Sequence, residues 1–472
     1  MYDNHESYFE EDSLFQSINK YEDMLRNNEV CFFDVLEYET IIDYYLDQHK
    51  FQEAQEALKI ALSQHPEATS IKFRQAQLYV NSGKPTRGIR ILREIEFMES
   101  ANAEFFLLYG AAYNILGKKE HAKQAFDNAI KLAYDNKDEV IYNIAFAYIS
   151  TRRYKIAIHY LKLAIEINPE NLTAIYELAL IYERMDNPIE SAHYYMKYLD
   201  VDPYSYNVWI NLGMVYAGME QTDKALEAYD FAVAIDPEVT TAHFSKASLY
   251  INKGSVDEAI GVYRDIVEVE PDNVQAYLYI GECYEKKELF EEALLFYKTA
   301  IDFEDDFSEA WYGIGMCFFQ MKRYEESLPY FRHAKKLDPE NPDYWFMLGE
   351  VYFYMKDDIK SAEAYNRTVE LDPNDYEAWI NRAELSFRNS DLSEAISILS
   401  KGRTLNRDNS SIHYQLASYF YRNNQKVEAY QFFEEGLKID FNEHKIYLDE
   451  LSDNGDKSEL QKLIDKYNGN KK

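Results

Sequence analysis

Glycine, proline and cysteine are all scarce in this 472-residue chain, at 16, 11 and 3 residues. Few glycines and prolines suit an all-helical chain with few long loops. The three cysteines, Cys31, Cys283 and Cys317, form no CxxC pair. Zinc-ribbon and thioredoxin-like spacings are therefore excluded, and the thiols read as reduced ones in a cytoplasmic protein. Basic residues are also short, 50 Lys and Arg against 83 Asp and Glu, for a net charge of −33. Such a chain is repelled by phosphate backbones and anionic membrane surfaces, which disfavours nucleic acid as a partner. The same charge steers basic partners towards it. No run approaches the ~20 apolar residues of a membrane helix, and the opening MYDNHESYFEED has neither the basic start nor the apolar run of a leader. The chain is expected to be soluble and intracellular, without membrane insertion.

Reaction motifs are absent too. There is no HExxH, no phosphate-binding glycine loop and no GxSxG. The ten histidines are scattered. His159 and His193 read as solvated, and His243 and His413 as packed core. No enzyme, metal or cofactor is expected.

A strict period is present. Pro169, Pro203, Pro237 and Pro271 lie 34 residues apart, Asp305 breaks the series, and Pro339 and Pro373 resume it. An aromatic keeps the same ruler through Tyr148, Tyr182, Tyr216, Tyr250, Tyr284, Phe318 and Tyr352. Small residues recur early in the second helix of each period, among them Ala225, Ala259, Ala293, Ser327 and Ser361, where two helix backbones must approach closely.

Residues 207–237 carry W-x2-L-G-x2-Y, then A-x3-Y, then P; Trp345, Leu348, Gly349, Tyr352, Ser361, Tyr365 and Pro373 repeat it. This resembles the tetratricopeptide repeat. Twelve copies start at Val35, Thr69, Ala103, Asp138, Leu172, Tyr206, Thr240, Val274, Ser308, Pro342, Tyr376 and Ser410. The resemblance implies an all-α, right-handed α-solenoid, a superhelix of more than one turn built from helix-turn-helix repeats with helical caps. The reading divides the chain into an acidic segment with a leading helix (1–34), the array (35–443), and capping helices with a tail (444–472). The first two repeats and the last two depart from the pattern and are expected to pack irregularly. The chain resembles the free-standing bacterial proteins built only from these repeats.

In this family, positions 2, 5, 9 and 12 of each repeat face a concave groove. Position 5 reads Glu39, Phe73, Leu107, Tyr142, Tyr176, Ile210, Phe244, Leu278, Tyr312, Phe346, Ile380 and Tyr414, an apolar ladder the repeat itself does not require. It is either exposed groove or extra core between repeats. From the eighth repeat onward, carboxylates join it: Glu282, Glu285, Glu309, Asp343, Glu350, Glu377 and Glu384. Aromatics and methionines beside acids suit a basic or amphipathic protein segment. The expected partner-binding residues are Tyr312, Met316, Phe319, Phe346, Glu350, Phe353, Ile380, Glu384, Phe387, Glu282, Ile210 and Met214. A clamp for a terminal carboxylate needs groove bases, and Arg74 is nearly alone; Asn143, Asn211 and Asn381 are only a weak echo of a backbone-gripping asparagine ladder. The sequence therefore implies a non-catalytic scaffold for a protein partner. A regulatory subunit that binds a small molecule or lipid in the superhelix cavity is the alternative. Self-association through the helix at 456–467 or through groove edges is left open.

Overall fold

The computed structural model describes residues 16–27, 31–445 and 457–468, and every regular element among them is helical. The chain forms two compact units, Met1–Asp236 and Pro237–Lys472. The first holds α1 (16–27) and six antiparallel pairs: α2 (Val35–Asp47) with α3 (Phe51–Gln64), α4 (Thr69–Asn81) with α5 (Pro85–Ile95), α6 (Ala103–Ile115) with α7 (Lys119–Leu132), α8 (Lys137–Ser150) with α9 (Tyr154–Ile167), α10 (Leu172–Arg184) with α11 (Pro188–Val201), and α12 (Tyr206–Gly218) with α13 (Thr222–Ile235). The second holds six more: α14 (Thr240–Lys253) with α15 (Val256–Val269), α16 (Val274–Lys286) with α17 (Phe290–Phe303), α18 (Ser308–Gln320) with α19 (Tyr324–Leu337), α20 (Pro342–Tyr354) with α21 (Asp358–Leu371), α22 (Tyr376–Arg388) with α23 (Leu392–Leu405), and α24 (Ser410–Arg422) with α25 (Lys426–Ile439), followed by α26 (Lys457–Asn468). Each unit is thus an all-α stack of helical repeats. The even 34-residue period carries no mark of the division between Asp236 and Pro237.

Packing within a pair follows from the signature residues. The glycine at the eighth position lies against the aromatic at the twenty-fourth: a Cβ at Gly213, Gly281 or Gly349 would stand within 2.6 Å of the ring of Tyr229, Tyr297 or Tyr365. Large rings and absent side chains interlock there, so neither can change alone. The position-4 side chain reaches back six residues. Trp209, Trp311, Trp345 and Trp379 donate through their indole N–H to the carbonyls of Pro203, Asp305, Pro339 and Pro373 at 2.9, 2.8, 2.8 and 3.1 Å. Tyr277 donates to Pro271 O at 3.1 Å, and His243 Nε2 meets Pro237 O at 3.2 Å. The proline ruler and the aromatic ruler thus meet in one hydrogen bond that ties the end of one repeat to the start of the next. A cation adds a second tie. Arg264 and Arg332 donate to the hydroxyls of Tyr284 and Tyr352, one repeat onward, at 3.0 and 2.8 Å.

The turn inside each pair has a feature the composition conceals. The fifteenth residue of every repeat is left-handed: Gly83, Gly117 and Gly254, but also His49, Arg152, Asp186, Glu220, Glu288, Lys322, Lys356, Ser390 and Asn424, with φ between 56 and 64° for these nine. The following N–H closes back on the carbonyl of the position-11 residue, as in Leu289 N to Tyr284 O at 2.9 Å and Arg323 N to Phe318 O at 2.9 Å. This is the six-to-one bond that ends a helix on a left-handed residue. Glycine is scarce because the chain tolerates other residues here.

Both ends of the array are covered. On α1, Ile18, Tyr21 and Met24 are buried against the first repeat, with the Tyr21 ring 6.0 Å from Phe33 and 6.3 Å from Tyr45. On α26, Leu460 and Ile464 pack into the cluster of Tyr414, Phe433 and Leu437. Residues 1–15, 28–30, 446–456 and 469–472, which take in parts of the expected leading segment and of the expected capping region with its tail, lie outside the described residues. Among the described residues no helix is long and apolar enough to cross a membrane.

Candidate functional site

The position-5 ladder splits. Phe73, Ile210, Leu278 and Tyr414 are buried, taken up where neighbouring pairs meet. Leu107, Tyr142, Tyr176, Phe244, Tyr312, Phe346 and Ile380 are half-buried. In the first unit Ile210 therefore offers little surface, while Met214, one turn later, is 48% exposed. Of the residues expected in the second unit, Tyr312, Met316, Phe319, Phe346, Glu350, Phe353, Ile380, Glu384 and Phe387 are half-buried, and Glu282 is exposed.

Two adjoining cavities open along the first helices of the second unit. One, about 570 Å³, lies between α14, α15 and α16; its wall includes Phe244, Tyr263 and Tyr279. These rings touch, with centroids 5.9 Å apart for Phe244 and Tyr279 and 5.3 Å for Tyr263 and Tyr279. The next, about 480 Å³, is lined by Glu285, Glu309, Tyr312, Met316, Asp343 and Tyr344, among others. Glu282 and Lys286 line both. An aromatic hollow thus runs into an acidic one. Phe244, Tyr263 and Tyr279 were absent from the sequence-based set; the aromatic at the fifth position followed by a second one a repeat later was the signal available.

The acids are held by tyrosines. Tyr297 crosses from α17 and donates to Glu285 at 2.8 Å, past Gly313, where a Cβ would stand 2.6 Å from the tyrosine ring. Tyr365 donates to Glu350, which also accepts from Asn381 Nδ2 at 2.8 Å. Tyr419 donates to Glu384 at 2.8 Å. Burial pushes the Glu285 and Glu350 carboxyls above the ordinary range, and these hydrogen bonds only partly offset it. The protein crowding Glu282, more than Glu285 beside it, pushes its carboxyl up as well. Such carboxylates lack part of their hydration and gain from a cation brought to them.

Other groups already have intramolecular partners. Arg74 donates to Asp43 at 3.0 and 3.2 Å and sits 3.6 Å from Glu39. Asn211 donates to the Tyr176 hydroxyl at 3.0 Å. Arg388 lies over the Phe353 ring at 4.3 Å and Arg422 over Phe387 at 5.1 Å, so these two aromatics carry a cation on one face. Cys283, in the wall of the first cavity, and Cys317 are buried thiols pushed up to about 11 and about 12 by burial, far from the thiolate form that reacts. His243 and His413 are buried. Among the described residues no group of three or more His, Cys, Asp or Glu could hold a metal ion.

Models of the tetratricopeptide repeat match residues 40–96 and 254–307, 103–136, 138–171 and 172–205, 206–239 and 308–341, 342–375, and 364–397. No curated protein matches. Among solved structures, one described as YrrB, a TPR protein with an unusual peptide-binding site, is 22% identical over 39% of this chain and 95% of its own, with a TM-score of 0.32. PilF of Pseudomonas aeruginosa is 17% identical over 47% of this chain and 98% of its own, with a TM-score of 0.39. The Cut9–Hcn1 hetero-tetramer of the APC/C gives 14% identity over 92% of this chain and 96% of the matched one, with a TM-score of 0.38. These likenesses concern the fold alone.

Proposed function

The chain belongs to the tetratricopeptide-repeat family, and from that premise we propose that it is a non-catalytic protein-interaction scaffold that holds a basic or amphipathic partner segment along the first helices of its second unit. One observation carries this reading. The aromatic cavity of Phe244, Tyr263 and Tyr279 adjoins the acidic cavity of Glu285, Glu309 and Asp343, and the two share Glu282. An apolar side chain loses water against the rings, and a lysine or arginine beside it meets Glu285, whose carboxylate is short of hydration, with the exposed Glu309 and Asp343 close by. Met316, half-buried at the edge of the second cavity, offers an adaptable surface between them. Farther along, Phe346, Glu350, Phe353, Ile380, Glu384 and Phe387 extend the same surface. The size of the aromatic cavity also favours a second reading, a small molecule or lipid seated against the rings. Thermal stabilisation by apolar ligands, lost in Phe244→Ala, would support that second reading.

Site-specific photocrosslinking tests the proposal. A photoreactive residue at position 316 is expected to capture a partner that the same group at Leu295, exposed on α17, does not. Equal capture from both positions would remove the reason for placing the partner on the first helices.

A further inference from the structure

The last pair departs from the tie that every preceding pair of the second unit makes. His413 occupies the place of Trp311, Trp345 and Trp379, and Arg407 that of the closing proline. The His413 imidazole does not make the bond that the His243 imidazole makes to Pro237 O; its Nδ1 meets Asn409 O, at the cap of its own helix, at 2.8 Å. Nε2 then faces Glu435 at 3.6 Å. A cavity of about 450 Å³ lies beside the imidazole, between α23, α24 and α25. Its lining is basic: Arg403, Arg407 and Lys438 with His413, against Glu435 as the one acid. Three cations thus converge in a chain whose net charge is −33.

Among the described residues their charges are only partly met. Arg403 approaches Glu435 to 3.6 Å, outside hydrogen-bond range, and lies over the Phe432 ring at 5.1 Å, while its Nε is enclosed without a hydrogen-bond partner among the described residues. Arg407, exposed, donates only a long bond of 3.4 Å from Nε to Thr404 O. An enclosed guanidinium N–H left unmet is costly unless something accepts from it. Lys438 also acts on the Glu434 carboxylate; the two guanidinium forks beside the one lining carboxylate still leave an excess of positive charge, and planar forks match phosphate oxygens in pairs.

We propose that this cavity is a phosphate-binding site, in which His413 and Arg407 stand where the preceding pair has Trp379 and Pro373. The phosphate comes either free in solution or on a phosphorylated side chain; both present the same oxygens. The site is separate from the proposed partner surface and stands whether or not that reading does.

Calorimetric titration of the full chain decides it, with inorganic phosphate, a phosphoserine peptide and the same peptide unphosphorylated as probes, in chloride buffer of fixed ionic strength. At least one phosphate-bearing probe is expected to bind and the unphosphorylated peptide not to. Inorganic phosphate binding as well as the phosphopeptide identifies a free anion; the phosphopeptide binding alone identifies a protein-borne one. The double substitution Arg407→Glu/Lys438→Glu, at two exposed positions, should weaken binding by about tenfold or more. His413→Trp should block it by placing an indole in the cavity wall while the unfolding midpoint is kept. Absence of binding by both phosphate probes would overturn the site. So would unchanged affinity in the double variant, which decides the matter even if His413→Trp does not fold.

Discussion

The hydroxyl of Tyr297 on α17 donates to the carboxylate of Glu285 on α16 at 2.8 Å, across the interior of one helix pair and into the wall of the acidic cavity. A core side chain thereby fixes a surface charge. Tyr365 with Glu350, and Tyr419 with Glu384, repeat the relation farther along the second unit. Glu285, Glu350 and Glu384 are thus held by the core, while Glu282 and Glu309 stay exposed beside them.

Tyr297→Phe removes only that donor. Because a hydrogen bond to a charged group contributes roughly 1.5–3 kcal/mol, the variant is expected to lose about 2 kcal/mol in urea unfolding. The hydrogen bond holds the Glu285 carboxyl down against burial, so that carboxyl should rise further in the variant, as read by carbon-detected titration. An unmoved Glu285 would mean the bond does not hold the charge.

Glu350 gives a pH dependence of definite sign. Its folded carboxyl lies above the ordinary value of 4.5 because burial outweighs its hydrogen bonds. A group with a raised folded value binds its proton more tightly when folded, so its ionisation costs stability as pH rises through that value. Glu350→Gln is free of this cost. Its stability relative to the parent chain should improve between pH 4.5 and neutrality, measured by urea unfolding at both ends. A constant difference would contradict the raised value.

Left-handed positions without glycine are a reserve of stability. Glu288 and Lys322 are exposed, with φ of 58 and 60°. Each pays a steric penalty that glycine does not, of about 1 kcal/mol, reduced by glycine's extra freedom in the unfolded chain. Glu288→Gly and Lys322→Gly should each stabilise the second unit by roughly 0.5 kcal/mol, seen as a rise in unfolding midpoint. A fall in both would mean the turn needs the side chains.

Trp345→Phe keeps a ring but loses the 2.8 Å bond to Pro339 O and weakens the contact with Lys335, whose Nζ lies 4.7 Å from the indole. A loss of about 1–2 kcal/mol is expected in chemical unfolding, and Trp311→Phe, whose indole donates to Asp305 O at 2.8 Å, should behave alike even though that repeat lacks the proline.

These bonds show what could be read before the structure was known. The 34-residue spacing of prolines, tyrosines and small residues specified the helix pairs, because each signature residue has its partner inside the same repeat or at the start of the next. Which ladder residues remain open was not legible. Leu107 and Leu278 are the same residue at the same position, yet Leu278 is buried and Leu107 half-open; the difference depends on how closely successive pairs pack. The cover that Arg388 gives Phe353 was hidden for the same reason, since it comes from the following repeat. Phe244, Tyr263 and Tyr279 form a cavity wall only because a second-helix residue passes between two first helices.

The most direct measurement is the affinity of basic amphipathic peptides for the full chain and for Glu282→Lys/Glu309→Lys, by fluorescence anisotropy at low and high salt. Both positions are exposed, so the substitutions reverse charge at the cavities without touching the core. The scaffold reading predicts binding that weakens with salt and falls by about tenfold or more in the variant. Equal affinity for both proteins at both salt concentrations would contradict it.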